Sequence, residues 1–191
     1  SGGALPHTQG IILGLARLNK ILEIDRENLT ARVQPGVRNL AISQAVDAYG
    51  LFYAPDPSSQ IACSIGGNVA ENSGGVHCLK YGLTVHNILE VNIVSANGKL
   101  ITIGNEALDS AGYDLLALMT GSEGLLGIVV EIVVKLTVKP PVIEVLMAAF
   151  NSVPLAGEAV AAIISAGIIP AGLEMMDNPS IRAAEAFAKA G

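Results

Sequence analysis

Apolar and polar residues alternate over Lys20 to Asp25 (KILEID) and Thr30 to Gln34 (TARVQ), and the polar Arg26-Glu27-Asn28 between them predicts a hairpin. Ala41, Ala45, Ala48 and Tyr49 then fall on one helical face, after a candidate cap at Asn39 and before a stop at Gly50. Further on, Ile88 to Val94 and Lys99 to Ile103 flank Asn97-Gly98, the signal of a type I′ hairpin. A short helix over Asp114 to Met119 leads into GSEGLLG and one long β-branched strand, Ile128 to Val138. Pro140-Pro141 breaks that strand. Beyond it the pattern predicts a strand over Glu144 to Phe150 and a helix capped by Ser152 that runs through Pro154 to Ala166 and stops at Gly167. A strand over Ile168 to Met176 and a helix over Asn178 to Ala190 complete a β-α-β-α series. The whole is an α+β chain with a boundary at Pro140-Pro141, dividing residues 1–139 from residues 140–191. Two strands under two helices bury little surface by themselves, so the second unit is expected to be the truncated beginning of a domain.

Composition narrows the classes. Hydrophobic residues make up 51% and charged residues 15%, which excludes intrinsic disorder. The most apolar run, Gly124 to Leu136, is interrupted by Glu131 and Lys135, so no transmembrane helix is expected. A net charge of -6 with 11 Lys plus Arg argues against nucleic acid, whose phosphates need clustered cations. Cys63 and Cys78 are too few for a disulfide scaffold and suit a reducing compartment, so a cytoplasmic address is expected. The opening SGGALPHTQG has neither initiator Met nor the features of a signal peptide, so the chain is expected to be a processed form or a fragment.

One segment departs from the rest. Pro55 to Gly82 gathers Gly66-Gly67 and Gly74-Gly75 with Ser64, Asn68, Asn72 and Ser73, and carries almost no charge. Glycine weakens a fold unless backbone must approach something closely, such as a phosphate or a flavin. Loops of this kind bind anions through successive backbone N–H groups, and neither SIGGN nor NSGG contains a Lys or Arg that would do so instead. A pair of tight turns explains the same glycines equally well, and the spacing matches neither GxGxxG nor GxxxxGK[ST].

Other chemistry is weaker. Cys63, His77, Cys78 and His86 are near neighbours, but no CxxC or HxxxH spacing is present, so a packed thiol and a hydrogen-bonded imidazole are favoured over a metal site or a catalytic Cys-His pair. No metal is expected. Glu71, Glu123, Glu174 and Asp177 form no dyad in sequence. Glu123, set among Gly121, Gly124 and Gly127, is expected to fix its turn by accepting backbone N–H groups.

The run PDPSSQIACSIGGNVAENSGGVHCLKYGLTVHNIL, followed in order by VNIVSANGKLI and LMTGSEGLLGIV, resembles the FAD-linked oxidases of the vanillyl-alcohol oxidase type. Within them it is most similar to the branch that oxidises glycolate or D-lactate. The resemblance implies the second subdomain of a PCMH-type FAD-binding domain up to about Val138, then the start of a ferredoxin-like C-terminal substrate domain. It implies FAD as cofactor, with Gly66, Gly67, Asn68, Asn72, Gly74 and Gly75 as cofactor-loop residues, Ser64 beside them, and Pro55, Glu123, Gly127 and Ile128 in support. Ser1 to Pro6 looks like the tail of the family's first phosphate-binding loop, and His86 stands where the family often has Asp. No catalytic residue can be carried over.

The implied function is FAD-dependent oxidation of a 2-hydroxy acid by the complete protein, with other oxidase subunits as partners and peripheral membrane association of such a complex left open. The competing class is a noncatalytic flavin-binding subunit. With only the end of the first phosphate loop present, these 191 residues alone are expected to bind FAD weakly or not at all and to have no oxidase activity.

Overall fold

The computed structural model describes residues 6–105 and 112–189. Ser1 to Leu5, most of the apparent phosphate-loop tail, lie outside them. The alternating segments form β1 (Ile21–Asp25) and β2 (Thr30–Val33), an antiparallel hairpin as the pattern predicts. Asp25 caps its turn by accepting the N–H groups of Glu27 and Asn28 at 2.9 Å each. Together with β4 (Ile88–Val94), β5 (Leu100–Gly104) and β6 (Ile128–Lys135) they make a five-stranded sheet of order β1-β2-β6-β4-β5, antiparallel throughout.

The two sheet faces differ in kind. Ala31, Val33, Val91, Ile93, Ile132 and Val134 point into a core completed by Ile42, Val46, Ile65, Val69 and Met119 from the helices. The other face carries a polar chain across four strands: Thr102 Oγ1 donates to Asn92, Asn92 Nδ2 donates to Glu131, and Arg32 stands 2.8 Å from Glu90 and 3.8 Å from Glu131. Strand alternation with a period of two separates these sets.

Helix α1 (Asn39–Val46) continues through a 3₁₀ turn, Asp47–Tyr49, and stops at Gly50 with φ +70°. Asn39 does not cap it. Arg38 takes the cap position, and Asn39 is buried with its Nδ2 donating to the Pro55 carbonyl at 3.0 Å. The Asn97-Gly98 hairpin also takes another form: Gly98 has φ +75° but Asn97 is not left-handed. The Gly98 N–H donates to Ser95 and the Ser95 N–H donates to Lys99, which is a type I turn closed by a left-handed glycine rather than a type I′ turn.

The long strand predicted over Ile128 to Val138 is two. The Leu136 N–H donates to Leu29 at 2.7 Å, its side chain is buried, and the chain then leaves the sheet. Thr137–Val138 forms β7, which pairs with β3 (Leu51–Phe52) in a separate ladder. Between Asp114 and Met119 lies α4 (Leu115–Met119), with Asp114 Oδ1 accepting from the Ala117 N–H at 2.9 Å.

After Pro141 only the helices form as predicted. Ser152 caps α5 (Val153–Ser165), which ends at Gly167 with φ +78°, and Asp177 caps α6 (Asn178–Ala188). Glu144 to Phe150 and Ile168 to Met176 are not strands; they are irregular, and Val145, Leu146 and Met147 are exposed. A strand exists only through hydrogen bonds to a neighbour, and among the described residues neither segment has one.

Candidate functional site

The glycine-rich segment is more helical than its composition indicates. SIGGN opens α2 (Ile65–Glu71), with Ser64 as N-cap accepting from the Gly67 N–H at 3.3 Å. Two glycines in a seven-residue helix are unfavourable by about 1 kcal/mol each, so packing must require them. At Gly66 it does: a Cβ there would lie 2.5 Å from the Pro35 side chain, and the Gly66 N–H donates to the Pro35 carbonyl at 2.8 Å. Helix α2 thus docks on the Pro35 turn, and Ile65 and Val69 enter the core.

This packing corrects the anion-binding picture of SIGGN. The N–H groups of Ile65, Gly66, Gly67 and Asn68 are taken by Val37, Pro35, Ser64 Oγ and Ser64 respectively. Gly67 differs from Gly66, because a Cβ there would meet only Ser64 Oγ, at 3.3 Å. The protein's own packing does not explain the missing side chain at Gly67.

The second glycine pair is likewise dictated by the protein's own atoms. A Cβ on Gly74 would fall 2.6 Å from Leu83 and 2.8 Å from the Cys78 sulfur, and one on Gly75 would fall 2.4 Å from the Asp56 carbonyl oxygen. Asn72 closes α2 in the left-handed conformation, φ +50°, which asparagine tolerates, and its Oδ1 accepts the Val85 N–H at 3.0 Å. Pro55 is buried and fixed through Asn39. Asn68 is buried with no hydrogen-bond partner for its Nδ2. A buried amide donor without a partner is uncommon in a folded protein.

The GSEG turn meets α2. The Gly121 N–H donates to Val69 at 2.7 Å and the Glu123 N–H donates to Ala70 at 2.9 Å. Glu123 holds this turn through its main chain, at φ +54°; its carboxylate is exposed and accepts no hydrogen bond among the described residues, contrary to the sequence expectation. Between the turn and the helix lies a cleft of about 200 Å³ lined by Leu13, Leu15, Gly66, Ala70, Met119, Ser122, Gly124, Gly127, Ile128 and Val129. The N–H groups of Gly124 and Gly127 make no hydrogen bond among the described residues.

Of the residues predicted from sequence, the fold therefore brings Gly66, Gly127 and Ile128 to one cleft, with Glu123 at its rim. Ser64, Asn72, Gly74, Gly75 and Pro55 serve local structure outside its lining. Ala70, Leu13 and Leu15 were not legible as lining residues, since single apolar positions carry no motif. The cleft suits part of a dinucleotide: apolar walls accept a flat ring, and backbone donors at glycines accept an anion or a ring acceptor.

The Cys and His residues are engaged separately. His77 Nδ1 lies 2.5 Å from Asp56 Oδ2, Cys78 Sγ accepts the Gly75 N–H at 2.9 Å, and His86 Nδ1 accepts the Leu83 N–H at 3.0 Å. His86 thus makes a local hydrogen bond at the position where Asp is frequent in the resembled family. Among the described residues no group of three or more His, Cys, Asp or Glu side chains is placed to hold a metal ion, and no helix is long and apolar enough to cross a membrane. Tyr53 is buried with no hydrogen-bond partner for its hydroxyl among the described residues, which pushes its phenol well above the usual range.

Comparison with known proteins adds three findings. Residues 1–104 match the FAD binding domain family, and residues 139–191 match the C-terminal domain family of FAD linked oxidases. The whole chain is 65% identical to the glycolate oxidase subunit GlcD of Escherichia coli K12, of which it covers 38%, and 49% identical to the subunit of that name from Bacillus subtilis, of which it covers 41%. It is 34% identical to a D-lactate dehydrogenase of Anaerostipes hadrus, over 97% of this chain and 39% of that protein. The chain thus spans about two-fifths of the length of these curated relatives. Among solved structures, alkyldihydroxyacetonephosphate synthase superposes with a TM-score of 0.69 at 28% identity, over 82% of this chain and 28% of that one.

Proposed function

Because the chain belongs to the FAD-linked oxidases, with an FAD binding domain matched over residues 1–104, we propose that it is the flavin-holding part of a 2-hydroxy-acid oxidoreductase acting on glycolate or D-lactate. The observation that carries this reading is the cleft between α2 and the GSEG turn, which Gly66, Gly124 and Gly127 line beside apolar residues and where the N–H groups of Gly124 and Gly127 make no hydrogen bond among the described residues. FAD, when bound, accepts a hydride equivalent from the substrate's α-carbon, and the protein supplies position and electrostatics.

On this reading Gly66, Gly124, Gly127 and Ile128 surround the nucleotide half of the cofactor. Gly67 leaves space for it, Asn68 offers an amide donor, and Gly74-Gly75 and Pro55 shape the neighbouring wall. Ser64, Asn72 and Glu123 act by holding α2 and its partner turn in place. Residues 1–139 form the cofactor unit, and residues 140–191 open the substrate unit, divided at Pro140-Pro141. Partners are the 2-hydroxy acid and other subunits of an oxidase complex, in the cytoplasm.

The test is anaerobic mixing of the full-length gene product with glycolate and with D-lactate while flavin absorbance is followed. Bleaching by either substrate is the expected result. A protein that holds FAD but is bleached by no 2-hydroxy acid would be a noncatalytic partner subunit, and one that takes up no FAD would refute the reading altogether.

A further inference from the structure

His77 and Asp56 are 21 residues apart in sequence, yet His77 Nδ1 and Asp56 Oδ2 meet at 2.5 Å. The segments they join are both tightly constrained. Pro55 and Pro57 flank Asp56 and are buried, and the Pro55 carbonyl is held by Asn39. Opposite them Gly75 packs on Asp56 so closely that a Cβ would lie 2.4 Å from both its carbonyl oxygen and its Oδ1. The Cys78 sulfur receives the Gly75 N–H, which bends residues 75–78 back on themselves and returns His77 towards the aspartate. The ring of His77 meets Tyr81, the last residue of the short helix α3 (Cys78–Tyr81), edge-on, and Tyr81 meets Phe52 of β3 at 5.8 Å and 87°.

We propose that His77 is a positioning residue for the flavin-binding wall, clamping the Pro55–Pro57 turn onto Gly75 through the Asp56 carboxylate. This rests on the function proposed above. Asp56 Oδ1 is buried without a hydrogen bond, so the contact with His77 is the only hydrogen bond its carboxylate makes among the described residues. Removing the imidazole leaves a largely buried carboxylate with nothing to compensate it, and the turn moves to rehydrate it. The clamp works through Nδ1. Nε2 has no partner among the described residues, and a Cβ on Gly172 would lie 3.6 Å from the adjacent Cδ2.

Asn and Gln separate the two ring nitrogens, since the Asn amide nitrogen falls near Nδ1 and the Gln amide nitrogen near Nε2. The full-length protein and its His77→Ala, His77→Asn and His77→Gln variants are stripped of flavin and titrated with FAD, following flavin fluorescence and the visible absorbance bands. Loss of one charge-assisted hydrogen bond predicts a Kd about ten- to a hundredfold higher for His77→Ala and His77→Gln. His77→Asn stays near wild type in both affinity and band shape. If His77→Ala does not fold, the Asn and Gln pair carries the test. Wild-type affinity in every variant, or rescue by Gln and not by Asn, overturns the clamp while leaving the proposed function intact. A wild-type protein that binds no FAD overturns both.

Discussion

Between Ile21 and Val138 every predicted strand finds a partner, and the sheet buries most of one face. Between Val142 and Lys189 two helices form, yet neither contains a buried residue. Both regions are rich in apolar residues, so hydrophobicity is not what separates them. The difference lies in the range of the interactions each element needs. A helix satisfies its backbone internally, and Ser152, Pro154, Asp177 and Pro179 supply the start signals locally. A strand satisfies none of its backbone by itself, so the apolar run Val145-Leu146-Met147 stays irregular while the equally apolar Ile132-Val133-Val134 sits between β2 and β4.

The largest effect expected from this contrast concerns side-chain truncation. Ile132 is 0% exposed and Phe187 is 92% exposed. Ile132→Ala should destabilise the sheet region by about 2–5 kcal/mol, through lost transfer energy and the cavity left behind. Phe187→Ala should stay within about 0.5 kcal/mol. Urea titration followed by circular dichroism distinguishes them, and similar midpoints for the two variants would show that the regions do not differ in packing as described.

Glycine replacement sharpens the same contrast at intermediate size and with opposite signs. Gly75→Ala drives a Cβ into the Asp56 backbone and should destabilise by about 1–3 kcal/mol. Gly157, within α5, has nothing within 4 Å of its Cβ position, so Gly157→Ala should stabilise that helix by about 0.5–1 kcal/mol. Hydrogen exchange read residue by residue should show faster opening around Asp56 in the first variant and slower opening of α5 amides in the second.

The smallest effect is a pH dependence at the start of α6. The hydrogen bond from Ser180 holds the Asp177 carboxyl below its ordinary value. A carboxyl lowered in the folded state contributes stability that is complete above its unfolded pKa and is lost as pH falls through the folded one. The first turn of α6 should therefore fray in acid, below about pH 4. Asp177→Asn, which caps without titrating, should not fray, and the Ser180 amide shift in NMR measures both. An identical acid response in the two proteins would place the titrating group elsewhere.

Much of the local scaffold was legible in the sequence, because its signals are local or periodic: the alternation of KILEID and TARVQ, the Ser152 cap, and the stops at Gly50 and Gly167. The family was legible too, through three motifs in a fixed order. Tertiary structure decided what each motif residue does. Gly66 and Gly75 are glycine because Pro35 and Asp56 occupy the space a Cβ would need, and those neighbours lie 31 and 19 residues away in the chain. Asn39 reads as a cap but holds Pro55, and Leu136 reads as mid-strand but ends one sheet and admits the next. Local conformation follows from backbone and side-chain preferences within a few residues. Close packing between distant segments follows only once the core has fixed how those segments approach, and it is that approach which makes the cleft.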